Sequence, residues 1–275
     1  MKLKRSERLI DMTQLLLAHP HQLLSLTDFS QRYNSAKSSI SEDLTIIKKT
    51  FESQGIGRIE TISGAAGGVK FIPKANKEEA LAFAEEVRVQ IEDAKRLLPG
   101  GYVYLSDLLG NPSILRRLGK IIASGYQEGE VDVIMTVATK GVPIAQAVAE
   151  FLNVPFVIVR RDSKITEGST VSINYVSGSS ERVEKMELSK RSLKSGSKVL
   201  IVDDFLKGGG TVNGLRSLIA EFDSTTVGTV VFCESGVYNH QVEDCNSIIY
   251  IEQIDTSKNI IKARLGSFIE ECEFS

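Results

Sequence analysis

The chain has 275 residues, which is enough for one large or two modest domains. Hydrophobic residues make up 42% and charged residues 25%, as in ordinary globular proteins, and no apolar run approaches the ~20 residues of a membrane-spanning helix. Three scattered cysteines without a Cys-x-x-Cys pair and three histidines argue against a disulfide framework and against a metal site built from either residue. We therefore expect a cytoplasmic protein with no resident metal and no membrane partner.

The formal net charge of −2 hides an uneven distribution. Residues 1–74 contain 11 basic and 7 acidic side chains, a balance of +4, whereas residues 75–275 contain 22 and 28, a balance of −6. A basic segment on an acidic body points to an acidic partner for the small segment, such as nucleic acid. The difference is too small to decide alone, so the architecture of the segment matters more.

The N-terminal segment begins with two predicted helices. Before Pro20, apolar residues recur at helical spacing: Leu9, Met12 and Leu16. The run Ser25-Leu-Thr-Asp28 supplies capping oxygens for a second, short helix that continues through Tyr33. Asn34–Lys37 then predicts a brief break before a third helix.

The third helix and a hairpin complete this segment. Ser39 and Glu42 have the spacing of a capping box, which predicts the start of the helix. One buried stripe is expected from Ile40, Leu44, Ile47 and Phe51, and the opposite face carries Ser38, Glu42, Thr45 and Lys49. Two strands, Arg58–Ile62 and Val69–Ile72, follow and are joined by a glycine-rich turn.

Two helices with a tight break and a glycine-tipped hairpin are typical of a winged helix-turn-helix, an α+β fold that binds double-stranded DNA. Short polar side chains at the start of the third helix allow close approach to bases and phosphates: Ser38, Ser39, Ser41 and Thr45. Cations that can neutralise phosphates are Lys2, Lys4, Arg5, Lys37, Lys48, Lys49, Arg58 and Lys70. The alternative is a helical domain for protein contact, in which the serines only cap helices.

Residues 75–98 predict a charged helical connector with a modest apolar stripe, which ends before Pro99-Gly-Gly101. The helix can belong to the second domain or to a dimer contact, and the sequence leaves both open. We place the boundary near Pro73–Lys77, which gives a DNA-binding domain over residues 1–74 and an effector domain over residues 75–275.

The second domain has the pattern of an α/β fold. Short apolar runs predict buried strands at Val131–Val137, Val154–Val159, Lys198–Asp204 and Val227–Cys233. Helices are predicted between them at Pro143–Leu152 and Thr211–Phe222, and Ser163–Ser180 is predicted to be a polar hairpin or loop. Alternating strands and helices indicate a doubly wound parallel sheet, which binds ligands beyond the carboxyl ends of its strands.

The segment Val199–Thr211 is the most informative in the chain. An apolar strand ends in Asp203 and Asp204, passes through three consecutive glycines and enters a helix. The glycine turn and the helix N-terminus favour a phosphate, to which Lys207 and Thr211 can add a charge and a hydroxyl. The paired acids suit sugar hydroxyls or a phosphate-bound Mg²⁺. The order of residues differs from a Walker loop and from a dinucleotide-binding motif.

This segment resembles the phosphoribosyl pyrophosphate (PRPP) motif of type I phosphoribosyltransferases. The resemblance assigns the ribose hydroxyls to Asp203 and Asp204 and the 5′-phosphate to the loop Lys207, Gly208, Gly209, Gly210 and Thr211. A diphosphate loop, often with a non-proline cis peptide, falls on Thr139, Lys140 and Gly141, and Arg160 or Arg161 can add a cation. Tyr102 and Phe205 are candidates to stack on part of the ligand.

Over nearly its whole length the sequence resembles the bacterial purine-operon repressors. The resemblance is carried by motifs in both domains: Ser35-Ala-Lys-Ser-Ser-Ile-Ser-Glu-Asp-Leu44, Leu98-Pro-Gly-Gly-Tyr-Val-Tyr104, Thr136-Val-Ala-Thr-Lys-Gly141 and Asp203-Asp-Phe-Leu-Lys207. Gly208 departs from it, because these repressors commonly carry Ala there and active transferases Thr.

The resemblance implies a homodimeric repressor of purine biosynthesis and related genes. Its operator is double-stranded DNA, and PRPP, with or without Mg²⁺, is its inducer; no cofactor is required. Another anionic nucleotide can compete for the same site, and phosphoribosyl transfer is not expected. Two alternatives remain open: an active purine phosphoribosyltransferase with an accessory nucleic-acid-binding domain, and a scaffold that does not bind PRPP.

Overall fold

The computed structural model describes residues 3–64, 67–162, 168–176, 182–237 and 242–274. The N-terminal part contains three helices: α1 (Arg5–Ala18), α2 (Leu26–Tyr33) and α3 (Lys37–Ser53). Its antiparallel sheet has the order β1 (Leu23–Ser25), β3 (Gly68–Pro73), β2 (Gly57–Ile62). The predicted hairpin is therefore present, with residues 65 and 66 of its turn outside the described residues, and the short β1 was not predicted.

Local chemistry explains most of these helix ends. Ser25 caps α2, since its hydroxyl accepts from the Asp28 N–H at 3.0 Å. Asn34 ends α2 in the left-handed region at φ 44°. The predicted capping box at Ser39 is wrong, because α3 begins at Lys37 and Ser39 lies inside the first turn. The third helix starts soon after the turn at Asn34, two residues before Ser39.

The core of this domain is built as the periodicity of α3 predicts. Its four stripe residues are all buried together with apolar residues of α1, α2 and the sheet. A buried ion pair also joins two helices, since Arg8 Nε of α1 lies 2.5 Å from an Asp43 carboxylate oxygen of α3. Asp43 is 0% exposed, so this carboxylate depends for compensation on Arg8 and on the more exposed Arg5, which lies 2.9 Å away.

The second part is built around a six-stranded sheet. Its strands are β6 (Val133–Val137), β7 (Phe156–Val159), β10 (Lys198–Leu206), β11 (Thr225–Ser235), β12 (Asn246–Asp255) and β13 (Ile260–Leu265). Their order is β13-β12-β11-β10-β6-β7, and all neighbours are parallel except the β12–β13 pair. The antiparallel edge after residue 245 was not predicted.

Both faces of this sheet are covered, which confirms the predicted doubly wound fold. One face packs against α4 (Lys77–Ile91), α5 (Pro112–Ser124), α6 (Gly141–Leu152) and α8 (Ser267–Glu271). The other packs against α7 (Gly210–Ala220) and a two-stranded hairpin, β8 (Thr170–Val176) with β9 (Val183–Ser189). The segment Ser163–Ser180, predicted to be a hairpin or loop, thus supplies the first strand of this hairpin; residues 163–167 and 177–180 lie outside the described residues.

The connector helix α4 is part of the second domain's core. Five of its residues are buried there: Ala80, Phe83, Ala84, Val87 and Ile91. Its C-cap Glu92 accepts the Ala263 N–H of β13 at 2.9 Å. A small hairpin follows, in which β4 (Leu97–Leu98) pairs with β5 (Tyr102–Val103). Within the described ranges, no helix has the length and apolar content needed to cross a membrane.

Candidate functional site

A cavity of about 240 Å³ opens at the carboxyl end of β10. Four pieces of chain form it: the β4–β5 hairpin, the loop before α6, the end of β10 and the turn into α7. Predicted ligand residues in its lining are Tyr102, Lys140, Asp203, Asp204, Phe205, Lys207, Gly208, Gly209, Gly210 and Thr211. Five further lining residues were not predicted: Gly101, Val103, Leu105, Leu206 and Val212. Only Gly101 had a signal, the Pro-Gly-Gly turn.

The two aspartates differ in environment. Asp203 is 6% exposed, and its Oδ1 accepts the Asp204 N–H at 2.9 Å and lies 3.4 Å from the Thr139 hydroxyl. Burial, followed by the neighbouring Asp204 charge, raises the pKa of Asp203 well above its ordinary value. Asp204 is partly exposed and lines the cavity. Asp204 is therefore accessible to a ligand, whereas a hydrogen-bond donor or a cation beside Asp203 would stabilise the charge of its carboxylate.

The turn into α7 has the geometry of an anion site. Gly209, the N-cap of α7, has φ 79°, a left-handed conformation that favours glycine. The first intrahelical bond runs from the Asn213 N–H to the Gly209 carbonyl at 3.0 Å. The N–H groups of Gly210, Thr211 and Val212 precede it, so they have no acceptor inside the helix and can meet an anion.

An aromatic side chain and a lysine meet at the mouth of the cavity. The Lys207 ammonium lies 4.6 Å from the centroid of the Tyr102 ring, close enough for a cation–π contact. Tyr102 is 52% exposed and so presents a free ring face, whereas Phe205 is partly buried against the core. Of the two predicted stacking residues, Tyr102 offers the larger accessible surface.

The loop before α6 approaches the aspartates closely. A Cβ on Gly141 would lie 2.6 Å from Asp203 Oδ1 and 2.4 Å from the Thr136 hydroxyl, so this position requires glycine. Every peptide bond of the described residues is trans, including those of this loop, so the cis bond implied by the resemblance is absent there. Arg160 does not line the main cavity. It borders a second depression of about 210 Å³ on the other side of Thr139.

The predicted DNA-binding side chains divide by exposure and pairing. The exposed group is Lys4, Lys37, Ser38, Ser41, Thr45 and Lys49, whereas Ser39 and Lys48 are half-buried. Arg5 and Arg58 are exposed but lie 2.9 and 2.6 Å from the carboxylates of Asp43 and Glu60. Lys2 lies outside the described residues. Lys4 precedes α1, and the other five residues of the exposed group lie at the start of α3 and along its outer face.

Lys70 is placed differently. Its side chain is 12% exposed, and its ammonium lies 2.7 Å from both carboxylate oxygens of Glu128 in the second domain. The reason is that β3 is the central strand of the small sheet and runs past the second domain. Lys70, predicted as a cation for phosphate contact, is therefore largely buried and paired with a carboxylate instead.

Comparisons with known proteins agree with this architecture. The family model "Bacterial purine repressor, N-terminal" matches residues 4–73, and "Phosphoribosyl transferase domain" matches residues 105–263. The purine biosynthesis transcriptional repressor PurR of Bacillus subtilis is 55% identical over 98% of this chain and 95% of its own length. The purine biosynthesis transcriptional activator PurR of Lactococcus lactis is 53% identical over 98% of this chain and 100% of its own length.

A solved structure supports the fold of the second domain alone. Adenine phosphoribosyltransferase from Thermoanaerobacter pseudethanolicus aligns with a TM-score of 0.53 at 20% identity, over 60% of this chain and 98% of that one. The two domain matches and the two full-length relatives together cover almost every described element. The chain therefore belongs to the family of purine biosynthesis transcriptional regulators, in which a DNA-binding domain precedes a phosphoribosyl transferase domain.

Proposed function

We propose that the protein is a cytoplasmic, homodimeric repressor of purine biosynthesis genes and that PRPP bound in the second domain releases it from its operator. The proposal rests on one observation: Asp203 and Asp204 line the same cavity as the Lys207–Thr211 turn. A sugar with hydroxyls at one end and a 5′-phosphate at the other fits these two groups. We keep the division into residues 1–74 and 75–275 as part of this proposal.

The diphosphate of PRPP gives the remaining residues a role. Lys140 lines the cavity, and Arg160 borders the adjoining depression across Thr139, so both supply positive charge near an anion bound at this loop. Among the described residues no cluster of three or more His, Cys, Asp or Glu can hold a metal. Any Mg²⁺ would therefore arrive with the diphosphate and find its carboxylates at Asp203 and Asp204.

Sensing rather than transfer is the proposed role of this domain. Transfer requires a group that closes over the anomeric carbon and a pocket for the base. The two full-length relatives, 55% and 53% identical to this chain, are named as transcriptional regulators, which supports sensing. Incubation with PRPP and each purine base, followed by a pyrophosphate assay, separates a sensor from a transferase.

A gel-shift titration tests the proposal. We expect the protein to bind DNA from upstream of a purine biosynthesis gene and to lose affinity as PRPP is added, by ~5–150-fold for an ordinary allosteric coupling. Ribose 5-phosphate and pyrophosphate, added separately, serve as controls for single-anion binding. Unchanged affinity at saturating PRPP would contradict the inducer role. Because one full-length relative is named as an activator, in vitro transcription from the same fragment decides the sign of regulation.

Lys49→Ala tests the exposed face of α3. We expect weaker binding to all DNA sequences and a plot of log K against log salt that is shallower by ~0.9, because one phosphate contact is lost. Lys258→Ala is the matched control, since Lys258 is an exposed lysine of the second domain. An unchanged salt slope in the Lys49 variant would remove this residue from the phosphate contacts.

A further inference from the structure

Lys120 of α5 connects the two domains. Its ammonium donates to the Gly55 carbonyl at 2.9 Å and lies 2.9 Å from a Glu79 carboxylate oxygen of α4. Gly55 follows directly after the C-cap of α3, the helix whose exposed face we assign to DNA. The Lys120 side chain is 15% exposed, so solvent screens its ion pair with Glu79 less than it screens a fully exposed pair.

Two more contacts are made by residues four and eight positions after Lys120. The Ser124 hydroxyl, at the end of α5, accepts the Ala75 N–H at 2.7 Å, where the chain enters the second domain. Glu128, in the turn after α5, holds Lys70 of β3. Positions 120 and 124 share one helix face because residues four apart are neighbours on a helix. The DNA-binding domain is therefore docked along one side of α5 and its C-terminal turn.

The adjoining side of α5, on which Gly119 lies, is packed tightly on α6. A Cβ on Gly119, the residue before Lys120, would lie 2.7 Å from the Ala147 carbonyl carbon and carbonyl oxygen of α6. Such a distance means that the two helices touch backbone to backbone at this point. Close-packed elements of this kind shift together, because the interface has no free volume to absorb a relative movement.

Helix α6 begins at the effector cavity. Its first residue, Gly141, is the position where a Cβ would lie 2.6 Å from Asp203 Oδ1, and Lys140 before it lines the cavity. A ligand that changes the position or charge of Asp203 therefore acts directly on the N-terminus of α6. The contacts Asp203–Gly141, Ala147–Gly119 and Lys120–Gly55 form one continuous sequence from the cavity to the end of α3.

We propose that α5 couples the effector cavity to the DNA-binding domain, with Gly119 and Lys120 as its positioning residues. The inference rests on the proposed function and names how that function is transmitted. Ligand binding shifts α6, α5 follows because Gly119 leaves no gap, and Lys120 carries the displacement to the carboxyl end of α3. Lys120 touches neither the DNA-facing surface nor the cavity, so its role is in coupling alone.

Lys120→Met in the full-length chain tests this. The coupling factor is the ratio of DNA affinities without and with saturating PRPP, measured by gel shift, while calorimetry gives the PRPP affinity. We expect the coupling factor to fall to below about one third of the wild-type value, within the ~5–150-fold range of ordinary couplings. Affinity for DNA alone and for PRPP alone is expected to stay within about twofold of wild type, since neither surface is altered.

Conservative and matched variants exclude a merely structural effect. Lys120→Arg keeps a cation that reaches Glu79 and the Gly55 carbonyl, so we expect it to retain the wild-type coupling factor. Lys198→Met removes another lysine–carbonyl bond, 2.9 Å to Gly129 within the second domain, and is expected to leave coupling unchanged. If Lys120→Met fails to fold, Glu128→Gln is the second variant. It weakens the contact between Glu128 and Lys70 of the DNA-binding domain and is expected to lower the coupling factor.

The outcomes separate this inference from the function beneath it. A wild-type coupling factor retained in both Lys120→Met and Glu128→Gln would overturn the role of α5 and leave the PRPP-responsive repressor intact. A wild-type protein whose DNA affinity ignores PRPP would overturn the proposed function, and the inference with it. A loss of coupling equal in Lys120→Met and Lys198→Met would also overturn the inference.

Discussion

Replacing Asp203 and Asp204 by alanine together is expected to give a protein that binds its operator and does not respond to PRPP. Hydrogen bonds to a charged group contribute about 1.5–3 kcal/mol each, so losing both carboxylates should weaken PRPP binding by ~100-fold or more. The DNA-facing side chains lie in the other domain, so operator affinity without PRPP should be close to wild type. Calorimetry with PRPP and a gel shift across a PRPP titration measure the two quantities.

Asp203→Asn is the control for folding in this experiment. Burial raises the pKa of Asp203, which means that the ionised carboxyl is disfavoured in the folded state. The folded protein therefore loses stability as pH rises from the ordinary pKa of an aspartate through the raised one. Asparagine removes this loss, because its amide is neutral across this pH range. For Asp203→Asn we expect a melting temperature above that of wild type at neutral pH, with impaired PRPP binding. For the double alanine variant, release of DNA at the wild-type PRPP concentration would exclude the assignment of Asp203 and Asp204 to the ligand.

Arg8→Met is expected to have the largest effect on stability. It leaves Asp43, which is 0% exposed, as a buried charge whose closest partner is gone. Removing one partner of a buried ion pair costs about 3–5 kcal/mol, which is comparable to the whole stability of a small domain. DNA binding should be lost through unfolding of the N-terminal domain, while PRPP binding in the second domain persists. Thermal unfolding followed by calorimetry with PRPP on the full-length chain measures both.

Arg5→Met is the matched control for this variant. Arg5 also lies 2.9 Å from Asp43, but its side chain is 55% exposed, so solvent screens the interaction. Loss of an exposed ion pair costs about 0–1 kcal/mol. Equal destabilisation by the two substitutions would show that the buried contact of Arg8 has no special importance, and retained operator binding in Arg8→Met would contradict its proposed role in the fold.

Periodicity predicted the parts of this fold that depend on local pattern. The α3 stripe from Ile40 to Phe51 and the four apolar strands of the large sheet are found because burial repeats at 3.6 residues in a helix and is continuous in a buried parallel strand. The phosphate turn was likewise visible, because glycines and paired acids at a strand end are themselves the chemical signal. The glycines and the paired acids line one cavity, as predicted, while their roles in binding a ligand stay predictions.

Features that depend on tertiary packing were not predictable in this way. Nothing local marks Arg8 as the partner of Asp43, because the two lie 35 residues apart and are joined only by helix packing. The sequence marks Lys70 only as a cation in a strand, because its partner Glu128 is brought beside it by the packing of the second domain. Gly119 gave no signal either, since a glycine inside a helix shows its purpose only when the neighbouring helix is present.

The buried carboxyl of Asp203 also bears on how long the protein survives in the cell. Burial disfavours the charge of this acid, so a ligand that brings a donor or a cation to it would stabilise the folded chain. A ligand that binds only the folded chain adds stability by mass action, in proportion to the logarithm of its concentration. Under the proposed function, turnover by proteases that attack unfolded chains would then slow when PRPP is abundant.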